Sequence, residues 1–101
     1  MQFHVSKSAE REMDQIFVYW AKRAGVEVAD RLIDSFEERF ATLADYPSAG
    51  RKCDEIGPGI FRFTSGKYLI YYRRKRGVLH ILHVLHGARD QVRAFKPDSA
   101  Q

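Results

Sequence analysis

The sequence predicts an α+β fold, β-αα-βββ, with a helical hairpin packed on a small, mainly antiparallel sheet. Three observations predict it. Two apolar stripes at helical spacing occupy residues 9–43 and are separated by a very short loop at Gly25. Three apolar-rich runs follow between residues 60 and 86, joined by tight turns. A short alternating run, Gln2-Phe3-His4-Val5, opens the chain.

The first stripe is Ala9, Met13, Ile16, Phe17, Trp20 and Ala24. Its steps of 4, 3, 1, 3 and 4 residues place these side chains on one helical face. Ser8 suits the N-cap, and Glu10 and Glu12 sit in the first turn, where the helix dipole favours negative charge. Gly25 suits the residue that ends the helix. The second stripe is Val28, Leu32, Ile33, Phe36, Phe40 and Leu43, and Pro47 stops it. So short a loop makes the helices an antiparallel hairpin. Residues 47–59 read as a turn-rich connection.

Strands are expected at 60–64, 68–74 and 78–86, with turns at Ser65-Gly66 and Arg76-Gly77. In the middle strand Tyr68, Tyr72 and Arg74 share one side, and Tyr71, Arg73 and Lys75 the other; the pattern leaves open which side meets the helices. In the last strand, alternation sets Leu79, Ile81 and Leu85 against Leu82 and Val84. Both faces are apolar, so this strand is expected to be covered on both sides.

At 101 residues the chain is read as one domain, 1–101, with net stability of roughly 5–15 kcal/mol. The apolar runs fall far short of the roughly 18 residues that span a bilayer, and the first residues lack a signal-peptide layout. Cys53 is the single cysteine, which excludes an internal disulfide. These features point to the cytoplasm. Residues 1–58 carry 8 Lys/Arg and 11 Asp/Glu, a net of −3; residues 59–101 carry 9 and 2, a net of +7. The C-terminal half is therefore a basic surface suited to acidic partners, either nucleic acid or an acidic peptide.

His80, His83 and His86 lie in the last strand, where alternation sets His83 opposite the other two, so no metal site is expected. His86 ends the strand near Arg89 and Asp90, where a general acid or base could stand; a hydrogen bond fixing the turn is the favoured role. Arg62, Arg73, Arg74, Lys75, Arg76, Arg89 and Arg93 interleave with Phe61, Phe63, Tyr68, Tyr71 and Tyr72. That composition fits phosphate contact with stacking, and equally fits buried rings with solvated cations. Gly57-Pro58-Gly59 is a turn, not a phosphate loop, and no nucleophile triad is present; no cofactor is expected.

Several short segments carry a resemblance: Ser6 and Ala9 opening the first helix, Pro47 with Gly50-Arg51, and Asp54-Glu55-Ile56 with Pro58-Gly59. Further along come Tyr68-Leu69-Ile70-Tyr71-Tyr72-Arg73 and Val84-Leu85-His86-Gly87-Ala88-Arg89-Asp90. Their order and spacing resemble the ParE branch of the RelE/ParE toxins of bacterial type II toxin–antitoxin modules. The resemblance implies a toxin held inactive by a cognate antitoxin whose C-terminal segment wraps the hairpin and sheet. ParE-like members poison DNA gyrase; RelE-like members cleave mRNA on the ribosome. The nuclease pattern has Arg after the Tyr of the middle strand and Tyr six residues beyond the strand-end Arg. Here those positions are Leu69 and Phe95. Losing even one charge-stabilising donor costs on the order of 100-fold in rate. The expected activity is therefore gyrase binding without catalysis, and the target-binding candidates are Arg62, Arg73, Arg74, His86, Arg89, Asp90 and Arg93. A ribosome-dependent nuclease using His86, Arg89 and Arg62 is the alternative, and a plain nucleic-acid-binding module the third reading.

Overall fold

In a computed structural model the protein is described over residues 2–87. The chain runs β1 (Gln2–Val5), α1 (Lys7–Ala24), α2 (Val26–Asp45), a 3-10 turn (Pro47–Ala49), β2 (Arg51–Lys52), β3 (Phe61–Ser65), β4 (Tyr68–Lys75) and β5 (Val78–His86). One five-stranded sheet has the order β1-β5-β4-β3-β2. β1 lies parallel to β5, and the other pairings are antiparallel. The α+β expectation holds, with one addition: the connection 47–59 contributes the two-residue strand β2.

The N-cap of α1 is Ser6, not Ser8. The Ser6 hydroxyl accepts the Ala9 N–H at 3.0 Å and donates to the Leu82 carbonyl at 2.9 Å. Its own N–H reaches the Ile81 carbonyl at 3.0 Å, which continues the β1–β5 pairing by one residue. Ser6 thus ends a strand, starts a helix and ties both to β5. This is the physical content of the Ser6/Ala9 spacing, since Ala9 is fully buried. At the other end of α1, Gly25 has φ +98°, a conformation that strains any side chain. Its N–H bonds Ala21 and its carbonyl accepts from Ala29, so one residue closes α1 and opens α2.

The helices cover one side of the sheet. Met13, Phe36, Phe40 and Leu43 pack there against Tyr68, Ile70, Tyr72, Leu79, Ile81 and Val84. The Tyr68/Tyr72 side of β4 therefore faces the hairpin, and the Tyr71 side faces outward. Half of that outer side is also covered: Cys53, Ile56 and Ile60 lie over Leu69, Tyr71, Leu82 and Leu85. β5 is accordingly apolar on both faces, as expected. Its simple alternation fails, however, at a bulge. Tyr71 pairs with His83 but Tyr72 pairs with Ile81, so Leu82 is the extra residue. Val84 joins Ile81 and Leu79 on the helix side, while Leu85 joins Leu82 outside. The first hairpin turn is Gly66-Lys67, one residue later than predicted, and the second is Arg76-Gly77 as predicted.

Tyr72 anchors the connection before β2. Its hydroxyl accepts the Gly50 N–H at 2.9 Å and donates to the Pro47 carbonyl at 2.7 Å. A Cβ on Gly50 would collide with that hydroxyl and come within 2.9 Å of the Arg62 carbonyl, so the position admits only glycine. Burial pushes the Tyr72 hydroxyl above its ordinary value of 10.0, partly offset by the Gly50 hydrogen bond. Above pH 10 the unfolded state then loses this proton before the folded state does, and stability falls with rising pH. Tyr72→Phe should cost about 1–3 kcal/mol at neutral pH, because two backbone groups lose their partner. It should also shrink the decline in stability at alkaline pH, read as urea midpoints of the two proteins at about pH 8 and about pH 11.

Candidate functional site

None of the five described strands contains an Asp or Glu. Their cations are Arg51, Lys52, Arg62, Arg73, Arg74 and Lys75, and the pleat sorts them by side. Phe61 and Phe63 pack toward the helices, so Arg62 points outward, as does Arg51, which pairs with it. Arg73 and Lys75 follow Tyr71 on the outer side of β4. The outer side also carries His80, paired with Arg73, and His4, paired with His80; their rings lie 5.8 Å apart. Arg51, Arg73, Lys75 and His4 are exposed, and Arg62 and His80 are half-buried.

The predicted site residues divide between two places. Arg62 and Arg73 share the outer side. Arg74 lies on the helix side, beside Pro47, Phe61 and Tyr72. His86 also turns to the helix side, because the bulge reverses the alternation that would have set it with His80. It pairs with Tyr68, with ring centroids 5.7 Å apart. There it borders a groove of about 560 Å³ between α1 and the β4–β5 end, shared with Tyr19, Trp20 and Lys67. The Trp20 indole donates to the Tyr68 hydroxyl at 2.8 Å and fixes the groove floor. Arg89, Asp90, Arg93 and Phe95 lie outside the described residues. His86 and Arg62, the two described members of the nuclease set, stand on opposite faces of the sheet with β4 between their strands. Leu69 is 8% exposed and packs beneath residues 53–60.

Because α1 starts at Lys7, only Glu10 lies in its first turn, and Glu12, expected there, has a different, structural role. β1 ends at Val5, and beyond it the edge of β5 has no strand partner on that side among the described residues. The Glu12 carboxylate fills the gap, accepting the Val84 N–H at 3.0 Å and meeting His83 Nδ1 at 2.7 Å. Glu12 sits within the apolar stripe from Ala9 to Ile16, and that was the available signal. Glu12→Ala should cost about 1.5–3 kcal/mol, the range for hydrogen bonds to a charged acceptor, as a lowered urea midpoint. No change in midpoint would mean that the contact adds nothing to the fold.

Residues 3–91 match the family described as ParE toxin of type II toxin–antitoxin system, parDE. Toxin ParE1 of Mycobacterium tuberculosis is 28% identical over 90 residues, covering 88% of this chain and 92% of that protein. Toxin ParE1 of Caulobacter vibrioides is 29% identical over 85 residues, covering 83% and 86%. A solved chromosomal ParDE toxin–antitoxin system from P. aeruginosa superposes with a TM-score of 0.75 at 21% identity, over 85% of this chain and 95% of that one. A basic α+β domain with a helical hairpin over its sheet is the class that the fold defines. The chain belongs to the ParE toxin family of type II toxin–antitoxin systems.

Proposed function

We propose that this toxin arrests growth by binding and poisoning DNA gyrase in the cytoplasm, without catalysis, and that a cognate antitoxin neutralises it. The observation that carries the non-catalytic part is Leu69. Where a nuclease of this fold places a phosphate-holding Arg, this chain buries an apolar side chain against Cys53, Ile60 and Tyr71. The separation of His86 from Arg62 supports the same reading. Membership of the ParE family and the basic character of the sheet support gyrase as the target. The candidate contacts are Arg62, Arg73, Arg74 and His86, together with Arg89, Asp90 and Arg93.

Exposed apolar side chains on the hairpin support an antitoxin partner. Val18, Tyr19 and Val26 are 49%, 45% and 57% exposed, and Tyr19 also borders the groove. A partly apolar, acidic antitoxin segment lying along the groove would cover Tyr19 and meet Lys67. No described helix is long and apolar enough to cross a membrane. Induced expression without antitoxin is expected to raise DNA-damage signalling while translation continues. Abrupt translation arrest with cut mRNA would contradict the proposal and restore the nuclease.

A further inference from the structure

We infer that the outer face of the sheet contacts the backbone of duplex DNA directly, through Arg51, Arg62, Arg73 and Lys75. Four features of the structure carry this. First, the cations adjoin one another: Arg51 is directly opposite Arg62, and Arg73 is two residues along β4 from Tyr71, the residue paired with Arg62. Such cross-strand and diagonal neighbours stand roughly 5 and 7–8 Å apart. His80 and His4 extend the Arg73 row across β5 and β1.

Second, Arg51 and Arg62 are like charges placed opposite each other, an arrangement that destabilises a sheet. Glu55 meets Arg51 only at 3.9 Å between two well-exposed side chains, which contributes little. A bound anion would relieve this repulsion. Third, the large apolar side chains of this face, Leu69, Tyr71, Leu82 and Leu85, are packed with Cys53, Ile56 and Ile60. The basic half therefore offers no apolar anchor, among the described residues, of the kind that holds a peptide. Fourth, Tyr71 is fully buried, and the described outward-facing strand positions of the basic half hold no exposed Phe, Tyr or Trp on which unpaired bases could stack. Cations without apolar anchors or exposed Phe, Tyr or Trp rings match the backbone of a duplex, which is bound by charge and without sequence preference.

The inference is independent of the gyrase reading, because the test contains no gyrase. A labelled duplex of about 20 base pairs is titrated with the full-length toxin and followed by fluorescence anisotropy at several salt concentrations. With about four phosphates neutralised, binding should weaken roughly 150-fold between about 50 and about 200 mM salt. The combined Arg62→Gln, Arg73→Gln, Lys75→Gln variant should lose most of that salt dependence and at least about tenfold in affinity at the lower salt. Lys22→Gln, on the last turn of α1 across the molecule, should bind like the parent. Circular dichroism of each variant checks the fold. Absence of binding at low salt, equal losses in Lys22→Gln, or tighter binding of an acidic peptide or single strand of the same charge would overturn the inference.

Discussion

Leu69→Arg should destabilise the toxin by about 3–5 kcal/mol and should not create mRNA cleavage. The physical reason is burial. Leu69 is 8% exposed and packs with Cys53, Ile60, Tyr71 and Leu85. A guanidinium there must either lose its hydration or push residues 53–60 off the sheet, and burying an unpaired charge ranks among the costliest substitutions. Leu69→Met, which conserves volume, should cost less than about 1.5 kcal/mol. Urea midpoints of the two variants give the comparison. A Leu69→Arg variant as stable as the parent that cut translated mRNA would mean that this position is a catalytic slot.

Phe36→Ala should cost about 3–5 kcal/mol, a large share of the net stability of a domain this size. Phe36 is fully buried between hairpin and sheet, edge-on to Tyr68 at 5.3 Å. Tyr68 in turn holds Trp20 through its hydroxyl and forms part of the groove. The loss should therefore reach the groove as well as the core. A thermal midpoint lowered by many degrees, with altered Trp20 fluorescence at temperatures where the chain is still folded, is the expected result. A midpoint shift without any change at Trp20 would uncouple the groove from the core.

The helices were legible because their apolar stripes repeat at one period and the stops at Gly25 and Pro47 are strong. β4 and β5 were legible because turn chemistry at Arg76-Gly77 fixes their pairing. What sequence spacing could not reveal was long-range. Ser6 outcompetes Ser8 as the cap because β5 holds it, 76 residues away in the chain. The bulge at Leu82 has no local signature, yet it decides that His86 faces the groove while His80 faces outward. β2 is two residues of backbone recruited by its neighbour, below any detectable period. For the candidate site, charge sign was legible and face was not. Arg73 and Arg74 are adjacent in sequence and lie on opposite sides of the sheet, so a set of cations becomes a surface only once the pleat is oriented.

Action on gyrase by binding alone is tested most directly with purified toxin added to gyrase, ATP and relaxed plasmid. Micromolar toxin should abolish supercoiling and accumulate cleaved plasmid, and excess antitoxin should reverse both. Supercoiling unchanged at micromolar excess would contradict a toxin that works by binding gyrase.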